Sequence, residues 1–189
     1  KYNLIMDDID RFLSELNIKY LDLLLIHWPN SSIPMKDTFK ALNQIKNQGK
    51  VKSIGVSNFT INLMNEAMKY CDNIVTNQVE FHPMLFQKEL LTFCKENNIL
   101  LTSYSPLTRG KIFDDQRLIK MSEKYNKHPA QLILRWHIQN GCVVIPKASN
   151  VKHLQSNFDI FDFTLEKEDM DEFNSFDQER LINPSFAKF

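Results

Sequence analysis

Five short apolar runs, separated by stretches of helical period, constrain this 189-residue chain more than any other feature of its sequence. They are Leu21 to Trp28, Val51 to Val56, Ile74 to Phe81, Ile99 to Tyr104 and Cys142 to Ile145. Each is rich in branched residues and almost continuously hydrophobic, as a strand covered on both faces must be. Between them the period changes. Ile5, Ile9, Phe12 and Leu16 share one helix face. Pro34 can sit in the first turn of a helix whose face is Phe39, Leu42 and Ile45, with Gly49 as its stop. Thr60 reads as an N-cap before Leu63, Met64, Ala67 and Met68, and a further helix carries Leu90, Leu91 and Cys94 and ends at Asn97 and Asn98. An insertion from Pro106 to about Asp114 precedes helical stretches around Leu118 to Lys124 and Pro129 to Gln139. Asn150 then caps a helix through Asn157, and Thr164 caps a segment with Leu165, Met170 and Phe173. Alternating strand and helix call for a parallel sheet with helices outside it.

Several function classes drop out on composition. The 23 Lys and Arg balance 23 Asp and Glu, which argues against nucleic acid or an acidic membrane as the main partner. The four glycines, Gly49, Gly55, Gly110 and Gly141, are too far apart for a Rossmann fingerprint or a P-loop. Cys71, Cys94 and Cys142 are odd in number and unclustered, as in a reduced compartment, and read as small core residues. No apolar stretch reaches the roughly 20 residues of a membrane span, and the expected location is the cytoplasm. The five histidines, His27, His82, His128, His137 and His153, have no metal-site spacing. His82 before Pro83 reads as part of a loop turn, His128 before Pro129 as a helix start, His137 as a helix-face residue, and Glu166 to Glu172 as a solvated helix face.

Open and closed parallel sheets both bind ligands at the carboxyl ends of their strands. Every run here delivers a hydrogen-bonding group to that rim: His27; Ser57 and Asn58; Asn77, Gln78 and Glu80; Tyr104 and Ser105; Lys147. Packing alone does not account for this placement.

The motifs that carry those groups are LDLLLIHWP at 21–29, GKVKSIGVSNF at 49–59, TNQVEFHP at 76–83, SYSPL at 103–107 and VVIPKAS at 143–149. In this order and spacing the chain closely resembles the aldo-keto reductases, of the diketogluconate reductase and prostaglandin F synthase type, over residues 1–177. The resemblance implies an α/β fold, a (β/α)8 TIM barrel of which this chain supplies about the last five βα units as one domain. It also implies an oxidoreductase that reduces aldehydes or ketones with a nicotinamide cofactor and binds that cofactor without a Rossmann fold.

Site residues follow from the same resemblance. His27 matches the histidine that donates to the substrate carbonyl and steadies its developing charge; a lone histidine beside a strand is otherwise a core residue. Trp28 is either a wall of the substrate pocket or an aromatic plug. Ser57, Asn58 and Gln78 match the residues that hold the nicotinamide carboxamide, although Ser57-Asn58 alone reads as a strand-to-turn signal. Tyr104 matches the aromatic on which the nicotinamide stacks, or serves packing only. Ser105, Leu107 and Arg109 match the segment over the pyrophosphate, with Thr108 where a glycine is common. Lys147 matches the lysine beside the ribose 2′-phosphate, which favours NADPH over NADH. His153 stands where arginine is usual and Ala148 where serine is usual, so Ser149 and Asn150 are left as donors and NADH stays open. Asn157 matches an adenine contact. Phe186 and Phe189 are either pocket walls or exterior packing.

The family's catalytic tetrad comprises a tyrosine acid, a lysine, an aspartate and the histidine matched by His27. The first three belong to βα units with no counterpart in these 189 residues, and on the order of 90 residues would complete the barrel. The expectation is therefore a C-terminal portion of a longer, monomeric reductase, inactive by itself. A noncatalytic nicotinamide-nucleotide-binding fragment or a redox-sensing subunit is the alternative. An acyl or sugar-phosphate enzyme on the same architecture fits the GVSNF and NQVEFHP segments less well.

Overall fold

The structure, a computed structural model, describes residues 2–187, with side chains from Leu4 onward. The elements run α1 (Tyr2–Leu16), β1 (Leu21–Ile26), α2 (Met35–Asn47), β2 (Val51–Ser57), α3 (Ile61–Ala67), β3 (Ile74–Glu80), α4 (Lys88–Glu96), β4 (Leu100–Tyr104), a 3-10 turn at Thr108–Gly110, α5 (Gln116–Tyr125), α6 (Pro129–Gln139), β5 (Val143–Val144), α7 (Val151–Phe158) and α8 (Lys167–Phe173). The five strands form a parallel sheet in chain order. Parallel neighbours need a crossover, and the intervening helices supply it.

The described residues fall into two compact units, residues 2–78 with 92–99, and residues 79–91 with 100–187. In the first unit, Ile9, Ile45 and Val51 form a core on which Ile5, Met6, Leu13, Leu21 and Leu24 pack. Phe39, Leu42 and Ile45 of α2 are buried, and Gly49 takes the positive φ of +73° that ends that helix. Thr60 caps α3 by accepting from the Leu63 N–H at 3.4 Å. Cys71 and Cys94 are free thiols in the core, and burial pushes Cys94 up to about 11. Val56 pairs with Asn77 and Ser57 with Gln78 after a register shift that sets Gly55 at an irregularity of the β2–β3 ladder.

The second unit is built on aromatic packing. Phe81 stacks on Trp136 at 5.4 Å, and Phe86 and Phe173 flank the indole. The Trp136 N–H donates to Asn174 Oδ1, so the buried ring keeps its polar edge satisfied. His128 caps α6 as expected: its Nδ1 accepts from Ala130 N–H, while Gln131 Oε1 accepts from His128 N–H. Asn150 caps α7 by accepting from His153 N–H at 2.8 Å. Cys142 is buried and free.

Four sequence expectations need correction. β1 is not covered on both faces, since Asp22 and Leu23 are exposed and Leu23 shows 41% of its surface. Leu16 is exposed, because the buried stripe of α1 turns through Met6 and Leu13 instead. Thr164 does not cap α8; its hydroxyl accepts from Arg135 and Glu166 takes the N-cap position. His82 turns the chain as expected, its carbonyl accepting from Leu85 N–H, and its ring is fully buried. Asp169 leaves the solvated face and is buried beneath α5 side chains.

Candidate active site

In the first unit a side-chain knot ties three strand ends together. β2 ends at Ser57, whose hydroxyl donates to the Gln78 carbonyl at 2.7 Å. Asn58 follows at φ +63°, a left-handed conformation that asparagine tolerates better than most residues. That turn lets its main-chain N–H reach the Gln78 carbonyl at 2.9 Å while its side-chain amide donates to the His27 carbonyl at 3.0 Å. Asn77 completes the arrangement by donating to the Phe59 carbonyl at 2.8 Å. Ser57, Asn58 and Asn77 are buried.

Two side chains project from this knot. The His27 ring is exposed, 6.4 Å from the Trp28 ring. The half-buried Gln78 amide has no hydrogen-bond partner among the described residues. The donor set divides accordingly: the Ser57 hydroxyl proton and one Asn58 amide proton hold the backbone, whereas Gln78 keeps one acceptor and two donors for a ligand. That set suits a carboxamide.

The second unit holds the other residues singled out in the sequence. Tyr104 ends β4, half-buried. Burial pushes its phenol up to about 12, with the Glu80 charge adding to the effect and Arg180 opposing it. It therefore keeps its proton near neutral pH. From Ser105 to Gly110 the backbone is unusual, with positive φ at Ser105, Thr108, Arg109 and Gly110. Thr108, the position where a glycine is common in the resembled family, has φ +54° and a buried side chain whose hydroxyl donates to the Leu107 carbonyl. A β-branched residue there carries strain on the order of 1–2 kcal/mol. Leu107 is half-buried and the Arg109 side chain is exposed.

Lys147 is exposed ahead of α7. Ser149 Oγ and Asn150 Nδ2 lie 3.4 and 3.5 Å from His153 Nδ1, so both potential donors turn toward the His153 ring. Asn157 is half-buried on α7 and Phe186 is exposed; Phe189 lies outside the described residues.

One cluster imitates the residue types of a reductase site without being one. Tyr125 donates to Asp169, Lys124 reaches Asp169 at 2.8 Å and Glu166 at 2.6 Å, and the Tyr125 oxygen accepts from Glu166 N–H. Burial and the Asp169 contact raise the Tyr125 phenol, so its proton is held in a clamp between α5 and the start of α8. Sequence reading missed a second feature, the fully buried Glu80 and His82 pair, joined at 3.0 Å. A buried acid in NQVEFHP was the available signal, but its partners lie at the far end of the sequence.

The pattern that defines the aldo/keto reductases matches residues 1–178. The chain belongs to the aldo/keto reductase family. Glyoxal reductase from Bacillus subtilis (strain 168) is 42% identical over 97% of this chain and 67% of its own length. Among solved structures, a putative 2,5-diketo-D-gluconic acid reductase B aligns with a TM-score of 0.92 at 37% identity, over 97% of this chain and 67% of that one. A point mutant of Gox0644, solved in complex with NADPH, aligns with a TM-score of 0.89 at 38% identity, over 98% of this chain and 70% of that one. The chain thus spans about two thirds of the length of these reductases. No helix among the described residues is long and apolar enough to cross a membrane.

Proposed function

We propose that this chain forms the cofactor-holding and histidine-bearing part of an NADPH-dependent reductase of small aldehydes and ketones. The observation that carries the reading is the unpaired Gln78 amide beside Ser57, on the same knot that fixes the His27 main chain. Gln78 holds a carboxamide by offering its oxygen to the amino group and its amino group to the oxygen, with Ser57 and Asn58 fixing its backbone. Tyr104 supplies a flat, protonated ring for stacking. Ser105, Leu107 and Arg109 cover a pyrophosphate. Lys147 supplies a compact positive charge for a 2′-phosphate, joined by the main-chain N–H groups of the first turn of α7. Ser149, Asn150 and His153 line that turn, and Asn157 meets the adenine. NADH competes to the extent that the Ser149 and Asn150 donors are taken by His153.

When bound, the reduced nicotinamide supplies a hydride to the carbonyl carbon. His27, free of side-chain bonds to the knot, directs a ring N–H at the carbonyl oxygen and stabilises its growing negative charge. Trp28 walls the substrate on the side of His27. Proton delivery and the rest of a tetrad are assigned to residues outside these 189, as are the strands that complete a barrel; the two-thirds coverage of the relatives supports that assignment.

The test is an assay of the intact protein with NADPH and glyoxal, following loss of reduced nicotinamide. Turnover should be faster with NADPH than with NADH. His27→Ala should lower kcat/KM by about 10²–10³ and leave dinucleotide affinity unchanged. Tight NADPH binding without turnover on any small aldehyde would leave a noncatalytic nucleotide-binding protein.

A further inference from the structure

Glu80 ends β3 with a fully buried carboxylate that the proposed reaction does not use. Its Oε1 accepts from His82 Nε2 at 3.0 Å and from Leu181 N–H at 2.6 Å; its Oε2 accepts from Ile182 N–H at 3.0 Å, and Arg180 lies 3.7 Å from the same oxygen. Three of these four groups come from one C-terminal segment, 101 residues along the chain in the case of Leu181. His82 donates from Nε2, which leaves its buried Nδ1 with no partner among the described residues.

Residues just before this segment are held differently. Gln178 accepts from Phe86 N–H and donates to the Pro83 carbonyl, Glu179 N–H donates to the Met84 carbonyl, and Glu179 pairs with Lys111. These contacts fix the tail as far as Glu179 without Glu80. From Arg180 to Ile182 the tail meets Glu80, through the Leu181 and Ile182 N–H groups and the Arg180 guanidinium. The main chain of Glu80 reaches Tyr104 with a hydrogen bond to the phenol, which also lies within the fields of the Glu80 carboxylate and Arg180.

We propose that Glu80 is a positioning residue whose buried carboxylate fixes Arg180 to Ile182 beside Tyr104, so that one residue, by side chain and main chain, sets both the C-terminal tail and the ring that carries the nicotinamide. The fastening stands on the hydrogen bonds alone; its consequence for the dinucleotide rests on the carbonyl reductase reading.

Two variants of the intact protein test this from opposite sides. Glu80→Gln turns an amino group toward one of the two tail N–H donors, donor against donor. Ile182→Pro removes one of those donors, leaves Glu80 untouched and keeps the Arg180–Leu181 bond. The Arg180–Leu181 bond is a trypsin site, and its cleavage reports release of the segment. Wild type should be cut slowly and both variants about tenfold faster or more, with NADPH affinity, read by fluorescence titration, weakened about fivefold in each. Should Glu80→Gln fail to fold, Ile182→Pro decides alone. Cleavage at the wild-type rate in the folded variants overturns the fastening, and faster cleavage with unchanged NADPH affinity overturns the positioning of Tyr104. A wild type that binds no dinucleotide overturns the reductase reading, and cleavage still judges the fastening.

Discussion

His137 has carbonyl oxygens at both ring nitrogens, Ile133 at 2.7 Å from Nδ1 and Phe81 at 2.9 Å from Nε2, with Ser103 Oγ at 3.2 Å from Nε2. A neutral imidazole owns one N–H, and two carbonyls would favour a second. Complete burial wins: it lowers the ring to about 4 although both carbonyls pull upward. A folded value below the unfolded one means that acid favours the unfolded chain. The stability held above the ordinary histidine value is lost as pH falls from about 6.5 toward 4, on the order of 3 kcal/mol. Glu80 acts in a later window. Burial pushes its carboxyl up, the bonds from His82, Leu181 and Ile182 outweigh that, and its contribution is lost only below the usual carboxylate range. Denaturant midpoints of the protein should therefore fall between pH 6.5 and 4, and His137→Gln should flatten the slope in that interval. A wild-type midpoint that stays level there would contradict the burial argument.

Among the elements, β2 has a position intolerant of any side chain, Gly55, set between Leu25 of β1 and Thr76 of β3. A Cβ at Gly55 would stand 2.5 Å from Leu25 Cδ2, 2.8 Å from Thr76 Cγ2 and 3.0 Å from the Thr76 carbonyl. Side chains can rotate away; a carbonyl in the adjacent strand cannot. Gly55→Ala should destabilise the protein by about 1–3 kcal/mol, read as a lower urea midpoint with an unchanged slope. The sheet itself was legible because hydrophobic runs and helical period are local signals, and the caps at Thr60, His128 and Asn150 have local side-chain signatures as well. Other features had no such signature. Thr164 resembles a cap, yet Arg135 claims its hydroxyl, a tertiary competition that period cannot register. Glu80 is satisfied by the main-chain N–H groups of Leu181 and Ile182, and a backbone donor has no residue type to read. The chemistry-bearing rim was visible in the motifs, but the division within it, Asn58 holding strands together and the Gln78 amide left unbonded among the described residues, required the hydrogen bonds.

At the scale of the whole chain the surface bears on what these 189 residues do by themselves. β1 pairs only with β2, and β5 only with β4, among the described residues. Both outer strands carry apolar surface, Leu23 at 41% exposure and Ile145, just past β5, at 48%. Along α7, Val151, Leu154 and Phe158 recur at helical spacing, and Phe158 is 72% exposed. Open strand edges with apolar side chains invite pairing with further strands, and a formal net charge of zero provides no long-range repulsion against it. Of the tetrad implied by the family resemblance these residues offer His27, while the Tyr125 hydroxyl is taken up by Asp169 and the Tyr104 phenol is raised by burial. A polypeptide confined to residues 1–189 should therefore elute from a sizing column well above its 22.3 kDa mass and show no NADPH oxidation with glyoxal above background. Monomeric elution would count against open edges as the governing feature of this surface. Sustained turnover would mean that the acid is carried within these residues, and the assignment of proton delivery elsewhere would fall.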